Sequence, residues 1–299
     1  MEWVDMSLVR NLPYTHPYRW DGTLFGGPKL WRPNNLGSVL ALWLDAEDAA
    51  SITLNGSTVS QWADKSGNAR NFSQATVSSQ PTYDATVLSG KPALTFDGTS
   101  KFMSAGDTLD LRTNDITIMS VVKFANSTQS GVVLSKTRYA AGAGRYALYR
   151  SLTSGMLGVG TQYATFFATR DAISSGAIAQ SLYSSTNTKL FGGELDRFVS
   201  GYARIWEDGI NTASAAYDVD AFNLNNSDEL WIGAYQNYLG TSPPTGGSYM
   251  NGQIAEIVVA QSALSTADRQ NLEGYLAWKW ILEGSLPANH PYKNRAPTV

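Results

Sequence analysis

The sequence predicts an all-β protein: a β-sandwich of two antiparallel sheets with one C-terminal helix and extended terminal arms. Three observations carry this expectation. From Val39 onward, short apolar runs recur between turn residues, at the spacing of a sandwich. Several of these runs are rich in β-branched and aromatic residues, and one sorts its apolar residues onto two faces by the two-residue period of a strand. A single stretch near residue 265 has the capped, 3.6-residue pattern of a helix.

Residues 1–38 read as an arm. Pro13, Pro17, Pro28 and Pro33 keep it extended. Trp3, Trp20, Phe25 and Trp31 make it too apolar for a free linker. The expectation is an assembly or docking segment, with His16 and Tyr18 among its contact residues. Residues 39–299 then form the sandwich domain.

In Asp115–Phe124, Ile116, Ile118, Val122 and Phe124 share one face, and Met119 and Val121 the other. Apolar residues on both faces indicate an inner strand. Val39–Leu44, Val132–Leu134, Tyr146–Tyr149, Tyr163–Phe167, Tyr202–Trp206, Leu230–Gly233 and Ile254–Val259 read as further strands. Asp208-Gly209 after Trp206 signals a hairpin turn. Residues 172–192 read as loop and weak strand. The helix is expected at about 265–282, with Ser265 as N-cap and Asp268 in the capping-box position. Leu272, Tyr275, Leu276 and the stem of Lys279 form its buried stripe. Trp278 and Trp280 cannot share a face, so one is expected on the sandwich and the other on the arm.

The two histidines mark an internal echo. Leu12-Pro13-Tyr14-Thr15-His16-Pro17-Tyr18 matches Leu286-Pro287-Ala288-Asn289-His290-Pro291-Tyr292 at five of seven positions. One reading is a shared way of laying a Pro-stiffened turn on a tryptophan-rich surface. The other is that both copies occupy equivalent grooves, one of them on another subunit.

Composition removes several classes of function. The 299-residue chain has no cysteine, which excludes disulfides, zinc-thiolate sites and thiol nucleophiles. A balance of 22 Lys+Arg against 25 Asp+Glu argues against nucleic-acid binding. No apolar run approaches the length of a membrane span, and the start lacks a basic stretch followed by an apolar one, so folding in a cytoplasm is expected.

Leu42–Ala46, Val59–Asn68 and Leu94–Gly98 resemble the opening of concanavalin A-like, laminin-G-like (LamG) jelly-roll domains. Trp206–Gly209 resembles their late hairpin, and Leu230–Gly233 and Gly252–Ile257 their closing strands. Ala263-Leu264-Ser265, leading to Tyr275–Trp280, is similar to the ending found in tailed-bacteriophage proteins. The resemblance spans about residues 39–295 and is weakest over 125–195. It implies a jelly-roll fold in a phage-virion setting, and does not fix a ligand.

The laminarinase-like branch of that fold carries its catalytic carboxylates on one strand as Glu-x-Asp-x-x-Glu. The nearest approach is Glu194-Leu195-Asp196-Arg197-Phe198-Val199, in which Val199 replaces the second essential carboxylate. Gly192-Gly193 before it suggests an exposed turn. No Gly-x-Ser-x-Gly elbow and no Walker-type loop occur, so no catalytic residue is assigned. Asp97, Asp107, Asp110 and Asp208 are the carboxylates that a LamG-type calcium site would draw on; they are read as turn residues, and neither metal nor cofactor is expected. Tyr235, Asn237, Tyr238, Tyr249 and Asn251 combine rings and amides in the manner of a sugar site, against the alternative of turn-lining tyrosines.

The expected function is that of a non-enzymatic virion structural protein, a capsid decoration, fibre or tail-associated module, assembled in the host bacterial cytoplasm. Its partners would be other virion proteins and copies of itself. The alternative is a carbohydrate-binding receptor module of a fibre that attaches to host surface glycans.

Overall fold

A computed structural model describes residues 29–126, 131–136, 145–153, 161–169, 176–182, 185–216, 224–234 and 249–299. Among these residues seventeen strands and one α-helix form an all-β sandwich.

The first sheet is centred on β17 (Asn251–Ala260). One side of β17 pairs with β8 (Ile116–Phe124). Its other side pairs with β6 (Lys91–Asp97) over Asn251–Ile254, then with β1 (Leu40–Asp45) over Glu256–Ala260. From β8 the sheet continues through β13 (Lys189–Asp196), β14 (Tyr202–Glu207) and β15 (Ile210–Ala216), while β5 (Thr82–Leu88) flanks β6. The second sheet runs in the order β2 (Ile52–Asn55), β3 (Thr58–Trp62), β4 (Phe72–Ser73), β7 (Met103–Ser104), β16 (Leu230–Ile232) and β9 (Gly131–Lys136). It then continues through β10 (Arg145–Thr153), β11 (Thr161–Thr169) and β12 (Gly176–Leu182). All of these pairings are antiparallel, and one bridge, Thr58–Thr82, joins the sheets.

The alternation in β8 divides the apolar residues between two cores. Ile116, Ile118, Val122 and Phe124 enter the core between the sheets, beside Trp62, Phe72, Leu134, Tyr146 and Ile257. Met119 and Val121 enter a second core on the outer face of the first sheet, beneath the helix. That helix, α1, runs Thr266–Lys279. Ser265 Oγ accepts from the Asp268 N–H at 3.1 Å and donates to its carboxylate at 2.7 Å, which caps the helix start. Leu272, Tyr275, Leu276 and Trp280 are buried against the sheet with Trp43 and Val258.

Two expectations are corrected, and a third is extended. Residues 172–192 are not loop and weak strand throughout: Gly176–Leu182 is β12, and Lys189 begins β13, an inner strand between β8 and β14. Lys279 does bury its stem, but its ammonium does not return to water. It pairs with Asp45 Oδ1 at 2.6 Å and Glu256 Oε2 at 2.8 Å, and its side chain is 3% exposed. Trp280 meets the sandwich as expected, donating to Glu256 at 2.6 Å, whereas Trp278 donates to the Tyr292 carbonyl of the C-terminal segment at 2.8 Å rather than to the N-terminal arm.

Of the arm, residues 29–38 lie within the described structure. Trp31 is buried, its ring 6.2 Å from that of Tyr275 in an edge arrangement. Trp31 N–H donates to the Pro297 carbonyl at 3.0 Å, and Val299 N–H donates to the Lys29 carbonyl at 2.9 Å. Trp31 is thus part of the chain's own outer core. Trp3, His16, Tyr18, Trp20 and Phe25 lie outside the described residues.

Candidate functional site

Of the predicted sugar-site residues, Tyr235, Asn237 and Tyr238 lie outside the described residues; Tyr249 and Asn251 lie within them. An antiparallel bridge joins Ala234 to Tyr249. The Phe102 ring stacks on Trp231 at 4.7 Å, and Tyr249 lies 6.4 Å from Phe102, forming a small satellite cluster. Asn251, first residue of β17, stands opposite Asp97, last residue of β6.

Asp97 organises the adjoining turn. Its carboxylate accepts from the N–H groups of Thr99 and Ser100, both at 2.9 Å, from Lys101 N–H at 3.2 Å and from Ser100 Oγ at 2.8 Å. Partial burial pushes its pKa up, but these four donors outweigh that and bring it down to about 2. The group therefore stays anionic under ordinary conditions. Burial, with Asp97 nearby, raises the Tyr249 phenol above its usual range. The structure thus joins Tyr249 and Asn251 to Asp97, Phe102 and Trp231. Sequence reading had placed Asp97 in a turn and had not linked Phe102 or Trp231 to the site. The Asp97-Gly98 pair was the one local signal; Phe102 and Trp231 are brought in by tertiary packing.

The suspected exposed turn at Glu194 and Asp196 is corrected: both are buried in β13. They project from one face of the strand, and Arg204 of neighbouring β14 lies 2.6 Å from Glu194 and 3.6 Å from Asp196. Burial raises the Glu194 carboxyl above its usual range, against the pull of Arg204. Burial acts the same way on Asp196, but hydrogen bonds from Ser200 and Val199 outweigh it and leave that carboxyl lowered. The guanidinium thus pairs with both acids and ties β14 to β13.

The remaining calcium candidates have protein partners. Asp107 and Asp110 lie 2.6 and 3.3 Å from the buried Lys136 ammonium, and Asp208 accepts from Lys189 and, at 3.0 Å, from Leu190 N–H. Among the described residues, no group of three or more His, Cys, Asp or Glu side chains gathers as metal ligands would. No helix among them is long and apolar enough to cross a membrane. A depression of about 440 Å³ lies on the second sheet near Leu54, Asn55, Ser73, Gln74 and Gln80. Two of its amides are spent internally: Gln80 donates to the Gln74 carbonyl at 2.7 Å, and Gln74 to the Phe102 carbonyl at 3.2 Å.

No protein-family model matches the chain, and no curated protein matches it. Solved structures do share its architecture. A structure of botulinum neurotoxin type C, which interacts with two ganglioside molecules, is 10% identical with a TM-score of 0.50. The match covers 80% of this chain and 51% of that one. Domain 4 of a GH43 extracellular arabinanase from Geobacillus stearothermophilus, in complex with arabinotriose, is 12% identical with a TM-score of 0.49, over 76% of this chain and 95% of that one. The CBM40 of the Ruminococcus gnavus IT-sialidase is 11% identical with a TM-score of 0.40, over 53% of this chain and 82% of that one. At such identities the likeness to the neurotoxin structure is one of fold, and the chain is a β-sandwich of that kind.

Proposed function

We propose that this chain is a non-enzymatic structural protein of a tailed-bacteriophage virion, a capsid decoration, fibre or tail-associated module that displays a lectin-like sandwich. The observation that carries the reading is the junction of its terminal segments. Leu30 bridges Thr298, with backbone hydrogen bonds on either side, so residues 29 and 299 lie together. Residues 1–28 are joined to the domain at Lys29, which lies beside Val299. The Arg204 bridge across Glu194 and Asp196 supports the non-enzymatic part. The phage setting rests on the sequence resemblance. Deleting residues 1–28 tests the reading: the truncated protein should fold with an unchanged melting temperature and fail to join particles. Normal incorporation would overturn it.

A second reading, a receptor module for host surface glycans, is favoured by one observation. An Asp97 held anionic at neutral pH sits opposite Asn251, next to the Phe102–Trp231–Tyr249 cluster. Carboxylate, amide and ring are the groups that sugar recognition combines. Glycan-array binding that is lost in Asn251→Ala would support it; an empty array would count against it.

A further inference from the structure

The C-terminal copy of the heptapeptide echo is a docked segment, and its contacts follow the sequence identity. Leu286 is buried. Leu286, Pro287 and His290 crowd the turn at Gly209, where an added Cβ would lie 3.2–3.3 Å from each. His290 Nε2 lies 3.0 Å from a Glu273 carboxylate oxygen, with both side chains almost wholly buried. The Tyr292 hydroxyl bonds to Asn271, and its ring covers Gly274. Trp278 donates to the Tyr292 carbonyl. The two positions at which the copies differ, Ala288 and Asn289, are both exposed. Lys293 donates to the Gly284 and Leu286 carbonyls, each at 2.6 Å, and the corresponding residue after the N-terminal copy is the basic Arg19. The four matched side chains that touch the seat, Leu, Pro, His and Tyr, are therefore all present in residues 12–18, and the fifth match, a proline, fixes the same backbone angle in both copies.

We propose that the seat formed by α1 and the turn at Gly209 is a receptor for the Leu-Pro-x-x-His-Pro-Tyr segment, and that residues 12–18 of a second copy of this chain are its other occupant. The exchanged contacts are of like kind, as in a domain swap. The chain's own segment, tethered at high effective concentration, holds the seat in dilute solution. A neighbour's segment gains it where copies are crowded side by side. The inference extends the assembly part of the proposed function. It concerns copies in solution, so the particle and glycan tests can fail without affecting it.

Two experiments test it on the full chain. In the first, Ala288→Tyr with Asn289→Thr converts the C-terminal copy into the N-terminal one in place. The melting temperature should change by less than about 4 °C, because both positions point away from the seat; a larger drop would mean that the seat rejects the N-terminal sequence and would overturn the proposal. In the second, a fluorescent peptide of residues 10–20 is titrated into the unchanged chain and into a His290→Ala, Tyr292→Ala variant whose own segment is loosened. The variant should bind at least about tenfold more tightly, and binding should be lost with His16→Ala in the peptide or with Glu273→Gln added to the variant. Failure to bind the variant, or binding indifferent to either change, would overturn the proposal. If the loosened variant does not fold, the in-place exchange still decides.

Discussion

Asp45 and Glu256 stand directly opposite each other in the β1–β17 ladder, two buried carboxylates bridged by the one ammonium of Lys279. Like charges in that register repel, so the arrangement depends on what surrounds it. Lys65 takes the second oxygen of Asp45 at 2.7 Å. Glu256 also accepts from Trp43 Nε1 at 2.7 Å, Tyr275 hydroxyl at 2.9 Å and Trp280 Nε1 at 2.6 Å. Burial pushes the Glu256 carboxyl up, while Lys279 and Lys65 outweigh burial at Asp45 and hold its carboxyl down. Lys279 is therefore the bolt that fixes α1 to the sheet.

Replacing that bolt should be costly. Lys279→Met keeps most of the stem volume but leaves two carboxylates facing each other. The expected loss is about 3–5 kcal/mol, read from urea unfolding. Adding Glu256→Gln should recover part of it. If Lys279→Met unfolds at the same urea concentration as the unchanged chain, the ion group is not what holds the helix.

Gly274→Ala sets two effects against each other. In a free helix the change would gain about 1 kcal/mol. Here the new Cβ would come within 2.7 Å of Tyr292 Cβ, and the clash is with a side chain held at several points. Overpacking of this kind costs about 1–3 kcal/mol, so a net destabilisation is expected. A rise in melting temperature would show that the C-terminal segment yields easily.

Arg204→Met should leave Glu194 buried without its cation, with an expected cost of about 2–4 kcal/mol in thermal unfolding. Neither the unchanged chain nor Glu194→Gln should release reducing sugar from host polysaccharide. Release that disappears in Glu194→Gln would make that residue catalytic.

Asp97 predicts a pH dependence. Its folded pKa of about 2 lies below the ordinary 3.8. A lowered acid adds stability that is fully present above the unfolded value and is lost as pH falls through the folded one. The turn at 97–101 should therefore stay ordered at pH 4 and loosen toward pH 2. Carboxyl NMR titration of Asp97 and amide exchange at Thr99 and Ser100 check both points; a midpoint near 4 would contradict the four-donor geometry.

Local chemistry was legible in the sequence. The two faces of β8, the Ser265 cap and the Asp208-Gly209 hairpin follow from spacing over a few residues, and each is found where expected. β13 was missed because Gly192-Gly193 reads as a turn. In fact Gly192 allows close approach to β8: an added Cβ would lie 2.8 Å from the Ile118 carbonyl. The role of Lys279 was missed because its partners, Asp45 and Glu256, lie far away in sequence, and a lysine at helical spacing looks the same whether its head reaches water or a buried acid. The candidate site was half legible for the same reason. Tyr249 and Asn251 are adjacent in sequence to their segment, while Asp97, Phe102 and Trp231 arrive from distant parts of the chain.

The position of β17 has a consequence for biosynthesis. The strand that unites β6, β1 and β8 leaves the ribosome after every other described strand. Until residues 251–260 emerge, those earlier strands have no common neighbour: β1 lacks a strand partner, and β6 and β8 each have one edge open. Closure over such long sequence separations is slow, and waiting edges invite contact between nascent chains. A ribosome stalled before residue 250 should therefore present a protease-sensitive chain, and one that has released the whole of β17 and α1 a resistant one.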